Sequence, residues 1–418
     1  MLGQSSWDWE PGKRRIQEAA ACSRDVVWME EPVVSPDGET IAAVVNLEDA
    51  VFGLCVKGEL LERTFEKIWG VSFSLEGRLA AVVCADMEWT VAVDGVPWEA
   101  TFGFVWNLSF SSTGDRIGAA VQQDMSYGAA VDGDPWTEFF DNASDFALSP
   151  CGEHSAAAVQ TKAMEAADIE AFQKGCYSVA VDGKAWDSNF VNVWTPVFDG
   201  SGARVAAQVR RSLYDYTIVV DGVPWPQSFL SVWEPAFNPR TGAVVAPVRS
   251  DGKWGMAENG IMIWPARYGQ LWQQAFDRTG SLLAAIAAPA YGRFTVAVND
   301  RPWQTTFSVV TDLAVCPEGR RVGALGKEGG VWAVVLDDCP WPGTYDMIYP
   351  LSFSPDGLHA AVRAERNGRF VIVMDGKEYK ETFERAWDPI FSPEGDKVLI
   401  RGIQGGDYIR IVAGVEDF

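Results

Sequence analysis

Over residues 69–102, apolar and polar side chains alternate through four short runs, and a turn signal ends each run. Residues 69–74, 79–83, 89–93 and 96–102 have the two-residue period of half-buried strands. Leu75-Glu76-Gly77 and Asp94-Gly95 supply the tight connections, since aspartate and glycine tolerate the positive φ of a hairpin turn. The pattern predicts one antiparallel sheet with strands A, B, C and D. The glycine closing the A–B turn recurs at Gly38, Gly77, Gly114, Gly152, Gly202, Gly242, Gly280, Gly319, Gly357 and Gly395, spaced 37 to 40 residues apart except for one step of 50. An aromatic opens strand C in all ten copies, from Phe52 and Trp89 to Phe370 and Tyr408. A forty-residue period with four strands per period predicts an all-β β-propeller of ten four-stranded blades.

The expected domains are an N-terminal extension, 1–25, and the propeller, 26–418. Pro11-Gly12 breaks the extension, and residues 13–22 read as a short helix carrying Lys13, Arg14 and Arg15. The last repeat stops after strand C, so Asp25-Val26-Val27-Trp28 is expected to supply its strand D and close one ring through both termini. Two five-bladed rings fit the count as well, but no linker or missing strand marks a second closure near Trp225–Trp233. The long step comes from residues 161–176, an insertion between strands B and C of the fourth repeat with helical composition. It projects from the face opposite the Asp-Gly turns.

Sixteen of the nineteen tryptophans occupy repeat positions. Six precede the A–B glycine by eight or nine residues (Trp69, Trp106, Trp194, Trp233, Trp272, Trp387), seven follow the C–D turn, and three open strand C. Strand B is rich in alanine, so large rings set against small residues should fill the joints between blades. Each buried aromatic contributes on the order of 4–6 kcal/mol of gross transfer energy. Trp7 and Trp9 serve no repeat. Beside Lys13, Arg14 and Arg15 they are the candidate partner-binding residues.

A formal charge of −23 argues against nucleic acid, because an acidic surface releases no counterions from phosphate. No apolar run approaches the 18 or so residues of a spanning helix, and the N-terminus shows no apolar signal core. Seven cysteines without a Cys-x-x-Cys pair read as reduced thiols, which points to the cytoplasm. The two histidines, His154 and His359, each stand two residues after an A–B glycine and read as turn-edge side chains. No motif for haem, zinc or a nucleophile elbow appears, so no cofactor, metal or catalytic residue is expected. The turn aspartates form a carboxylate ring that could attract calcium, although turn chemistry already accounts for them.

Phe353-Ser354-Pro355-Asp356-Gly357, Phe391-Ser392-Pro393-Glu394-Gly395 and Ser35-Pro36-Asp37-Gly38 resemble the turn of WD40-like and TolB-type propeller repeats. The tryptophan-bearing blades with Asp-Gly-x-Pro-Trp turns are similar to the tryptophan-rich cytoplasmic subunit of the transmembrane redox complex (Tmc) of sulfate-reducing bacteria. That resemblance implies a non-catalytic scaffold, peripheral at the inner membrane. Its implied partners are a cytochrome b, a multihaem cytochrome c and an iron-sulfur protein. The alternatives are a propeller hydrolase or lyase acting at the central channel, and a small-ligand or glycan sensor.

Overall fold

A computed structural model describes residues 4–22, 26–163 and 169–418. Ten antiparallel sheets follow one another as blades of a single ring. Blade two shows the plan: A is Lys67–Phe73, B is Leu79–Ala85, C is Glu88–Val93, and D begins at Val96–Pro97. D ends where Phe102 bridges Trp89, and the same aromatic pairing closes Tyr127–Phe140, Tyr216–Phe229 and Phe370–Phe383. Strand A of one blade packs on strand A of the next, which sets A at the inner edge, around the channel.

Every strand A is interrupted near its middle. In six blades the bulge residue takes a positive φ: Gly70, Asn107, Asp145, Thr195, Gln273 and Asp312, at 47–62°. In the other four a proline (Pro32, Pro235, Pro350 or Pro389) interrupts the ladder, because it has no N–H to give, and splits A into two short strands.

The joints are built as expected. Val82, Cys84, Trp89 and Val91 of blade two pack against Val105, Ile117, Ala119 and Val121 of blade three, with Trp69 and Trp98 at the edges. Strand D adds a second contact. Trp98 lies under the next C–D turn so closely that a Cβ on Gly133 would sit 3.2 Å from its ring, and Gly133 also has φ +90°. Trp136 and Trp186 repeat this contact under Gly183 and Gly222.

Ring closure departs from the sequence reading in three ways. Residues 13–22 are not a helix: Gly12–Glu18 is a strand, paired antiparallel with Asp407–Gly414 as strand D of blade ten. The residues there are good helix formers, but the unpaired edge of the last strand offers a full ladder, and tertiary pairing outweighs propensity. The propeller therefore begins at Gly12 rather than residue 26. Trp28–Met29 does not close blade ten. It pairs with Asn46 and Val45 as strand A of blade one, and residue 25 lies outside the described residues. Finally, Cys22 is disulfide-bonded to Cys55, with Cα atoms 6.3 Å apart, so the reading of seven thiols is overturned. The closing strand brings Cys22 beside strand C of blade one, Val51–Val56, and Ala21 packs on the Gly58 turn.

The seam between blades ten and one adds buried polar contacts to a small apolar cluster of Val34, Ile41, Tyr408, Ile16 and Trp387. Arg401 and Arg410 face each other across the last two strands, both buried, beneath the first A–B turn. Arg401 Nη1 donates to Ser35 O (3.1 Å), Arg410 Nε to Asp37 O (2.8 Å), and Tyr408 OH to Gly38 O (3.0 Å). Gly38 admits this approach because its φ is +75° and a Cβ would lie 3.2 Å from each arginine stem. Glu39 forms an ion pair with Arg410, 2.9 Å from its Nε, and accepts a hydrogen bond from Arg14 Nη2 at 2.5 Å, so one carboxylate of blade one ties both chain ends.

Glu39→Gln leaves the buried Arg410 without its carboxylate. The expected loss is about 2–3 kcal/mol, below the full cost for a buried pair because Glu39 is partly open to water. Denaturant unfolding measures it, and an unchanged midpoint would show that the backbone carbonyls suffice. Thiol titration of the unfolded, unreduced chain should read five thiols out of seven. Reduction should cost about 3–4 kcal/mol, the chain-entropy value for a loop of this length, read from the same unfolding curves.

Candidate functional site on the channel wall and the B–C face

The structure gives the predicted basic cluster partners inside the ring. Lys13 Nζ lies 2.6 Å from Glu381 and 2.8 Å from Gln404 Oε1, and Arg15 lies 2.7 Å from Asp407. Arg14, besides Glu39, reaches Asp8 at 3.2 Å. Trp7 and Trp9, half-buried, stack on each other with centroids 6.0 Å apart, and Trp9 Nε1 donates to Gln4 O. The geometry brings these five residues together at the outer edge of blade ten, where the three cations serve closure.

On the face of the A–B and C–D turns, the ring of aspartates is occupied by its own backbone. Asp94, Asp132, Asp182, Asp221, Asp337 and Asp375 each accept the first N–H of strand B through Oδ1, at 2.8–3.1 Å. The second oxygen faces a basic side chain: Arg116, Arg204 and Arg321 at 2.9–3.0 Å, and His154 and His359 Nδ1 at 2.6 Å. The histidines thus take the arginine's place in the turn. Among the described residues no group of three or more histidine, cysteine or carboxylate side chains is placed to hold a metal ion.

The channel wall is different. Blades five, six and seven line a cavity of about 1200 Å³ with Trp194, Trp233 and Trp272 from their A strands. Each indole reaches across strand B to the aromatic opening strand C. Trp194 stacks on Tyr216 (6.3 Å, 19°), Trp233 on Trp254 (5.5 Å, 10°), and Trp272 meets Phe294 edge-on (5.6 Å, 79°). These stacks hold the rings rigidly and leave Trp233 46% exposed. The bulge brings Thr195, Glu234 and Gln273 to the same wall, joined by Gln208, Gln270 and Gln274. Gln274 Nε2 donates to Glu234 O at 2.6 Å. Desolvation by the surrounding wall raises the Glu234 carboxyl above its ordinary value, although solvent still reaches it.

On the face of the B–C turns, apolar tips stand in water. Met87 and Met125 are 84% and 78% exposed, and Leu213, Tyr214 and Tyr291 continue the set in blades five and seven. Blade four carries the insertion here. Its described part holds a helix, Ile169–Lys174, and residues 164–168 lie outside the described residues. In blades six, eight, nine and ten the same turns are Asp251-Gly252, Gly329-Gly330, Asn367-Gly368 and Gly405-Gly406. No described helix is long and apolar enough to cross a membrane.

The sequence reading missed both surfaces. The signal for the wall was available in the three strand-A tryptophans of consecutive repeats. The signal for the tips lay in methionine at a turn position that glycine fills elsewhere.

No protein-family model matches the chain, and no curated protein matches it in sequence. Among solved structures it is similar to a eukaryotic initiation factor, at 13% identity and TM-score 0.49, over 81% of this chain and 91% of that one. It is also similar to a Dos1 propeller, at 11% identity and TM-score 0.34, over 67% and 95%. A third likeness is to TolB from Agrobacterium tumefaciens, at 16% identity and TM-score 0.28, over 45% and 74%.

His359→Ala removes one partly exposed partner of Asp375 while the Oδ1 bond to Ala360 N persists. The expected loss is under about 1 kcal/mol, the range of exposed ion pairs. Asp375→Ala should cost more, because it also strips the turn of its backbone bond. Thermal unfolding of the two variants orders them, and equal losses would show that the ion pair carries the turn.

Proposed function

We propose that the protein is a binding scaffold that docks a partner protein on the B–C face of blades two to five. One observation carries this reading. Met87 and Met125 stand second in their turns at φ 63° and 66°, a left-handed position where other blades use glycine, and both are exposed. Such a position costs a side chain about 1–2 kcal/mol. An exposed thioether returns nothing to the ring, whereas methionine's soft, adaptable side chain suits an interface that must fit another surface. Leu213 and Tyr214 of blade five extend the apolar arc. A charge of −23 favours a partner whose apolar centre is rimmed by basic residues.

The narrower reading places the scaffold at the inner face of a membrane electron-transfer complex, beside a cytochrome b and an iron-sulfur protein. It is supported by the resemblance of the blades alone. The same experiment reaches it, through the identity of the proteins captured from native membranes.

Replacing Met87 and Met125 together by glycine should hold or raise stability by up to about 1 kcal/mol per site, because the strain is relieved against some added chain entropy. Capture of the partner by tagged full-length protein should fall at least tenfold, read by quantitative mass spectrometry. Undiminished capture by the double variant would overturn the proposed face.

A further inference from the structure

The channel-wall cavity opens where an aromatic cover seen in blade three is missing. In blade three, Phe104 stands two residues before Trp106 and sets its ring 5.6 Å from Trp69 of the preceding blade and 5.9 Å from Trp106. That phenyl ring covers both indoles. The corresponding residues in blades six and seven are Ser231 and Gln270. Serine is too short to cover Trp194, and Gln270 leaves Trp233 46% open to the channel. The result is a cavity of about 1200 Å³ floored by indoles held flat by the aromatic stacks behind them.

Four of the polar side chains around this floor are neutral amides: Gln208, Gln270, Gln273 and Gln274. Among the described residues the structure gives no hydrogen-bond partner to the side-chain amides of Gln208, Gln270 or Gln273, all of which line the cavity. Each such amide offers two donors and an acceptor. Glu234 is the one carboxylate in the lining, and it has no cationic neighbour there. A flat apolar floor with a rim that both donates and accepts matches a ligand having an apolar face and hydroxyls at its edge. Pyranose sugars have that form: their C–H faces pack on indole, and their equatorial hydroxyls need both donors and acceptors in the ring plane. An organic cation would use the indole faces but would leave the amides without a role, and it would find a single carboxylate.

We propose that blades five to seven bind a neutral oligosaccharide, with a pyranose ring on Trp233, neighbouring rings against Trp194 and Trp272, and hydroxyls held by Gln208, Gln270 and Gln273. A cavity of this size, with one indole per blade, accommodates several sugar rings. The site is distinct from the B–C face and independent of the partner proposed there.

The test is titration of the full-length protein with maltohexaose, cellohexaose and chitohexaose, followed by tryptophan fluorescence, with tetramethylammonium chloride as the cation control. At least one hexasaccharide should give a saturable change. Ser231→Phe, which copies the Phe104 cover, and Gln273→Ala, which removes one amide from an exposed bulge, should each weaken binding at least tenfold while the unfolding midpoint stays in place. Should Ser231→Phe fail to fold, Gln273→Ala together with Gln208→Ala carries the same test. No response to any of the three sugars overturns the proposal. So does binding that survives the glutamine variants, or tetramethylammonium displacing the sugar.

Discussion

The ring stands on the joint that its own repeat cannot make. Nine joints form between blades that follow one another directly in the chain, but the tenth, between blades ten and one, requires Gly12–Glu18 to complete blade ten beside Asp407–Gly414. Closing a loop of that length costs on the order of 5 kcal/mol more than closing a hairpin. The non-repeating chemistry gathers there: Glu39 between Arg14 and Arg410, Arg401 and Tyr408 on the carbonyls of the first turn, and Cys22 bonded to Cys55. Burial lowers the affinity of Arg401 and Arg410 for their protons, so these cations depend on the acceptors that the turn at Ser35–Gly38 provides. Directional bonds fix the register of the two ends. Apolar packing alone would let the closing strand slip.

Elsewhere one small device repeats. The turn aspartate folds back on the first amide of strand B, a basic residue covers its second oxygen, and a tryptophan of the preceding blade lies beneath the glycine that follows. Turn, ion pair and joint are therefore one unit, which explains why aspartate, glycine and tryptophan keep a fixed spacing. It also explains why a ring of carboxylates on one face carries no vacant acceptor set: each is committed within its own blade.

The blade, its four strands and the packing role of the tryptophans were legible in residues 69–102 and their copies, because alternation and turn residues are local signals. Closure was not. Lys13–Glu18 is composed of helix formers, and only an edge nearly 400 residues away makes it a strand. The same distance hid the Cys22–Cys55 bond, since nothing in a separation of 33 residues announces that a closing strand will lay one beside the other. The strand-A bulge left a trace in Pro32, Pro235, Pro350 and Pro389. That trace reads as strand interruption only once the inner edge of the sheet is known. For the candidate sites, residue identity was visible, but exposure was not: Trp233 and Trp69 share a repeat position, and only a neighbouring blade decides which indole is covered.

This difference bears on where function resides in a repeat protein. A position filled alike in every blade answers to the joint that every blade must make, so its chemistry is accounted for by packing. A position that breaks the pattern at a cost to the fold has no such account. The channel wall qualifies by its cost alone: the position two residues before the strand-A aromatic varies from blade to blade, and Ser231 and Gln270 put no ring there, leaving indole surface in water. Met87 and Met125 hold a strained conformation that glycine adopts freely in other blades. Both features leave the ring less stable than other residues at the same positions would, and they lie on separate surfaces, one in the channel and one on the B–C face. Consistency among the blades accounts for the fold, and the costly inconsistencies are where binding is to be sought.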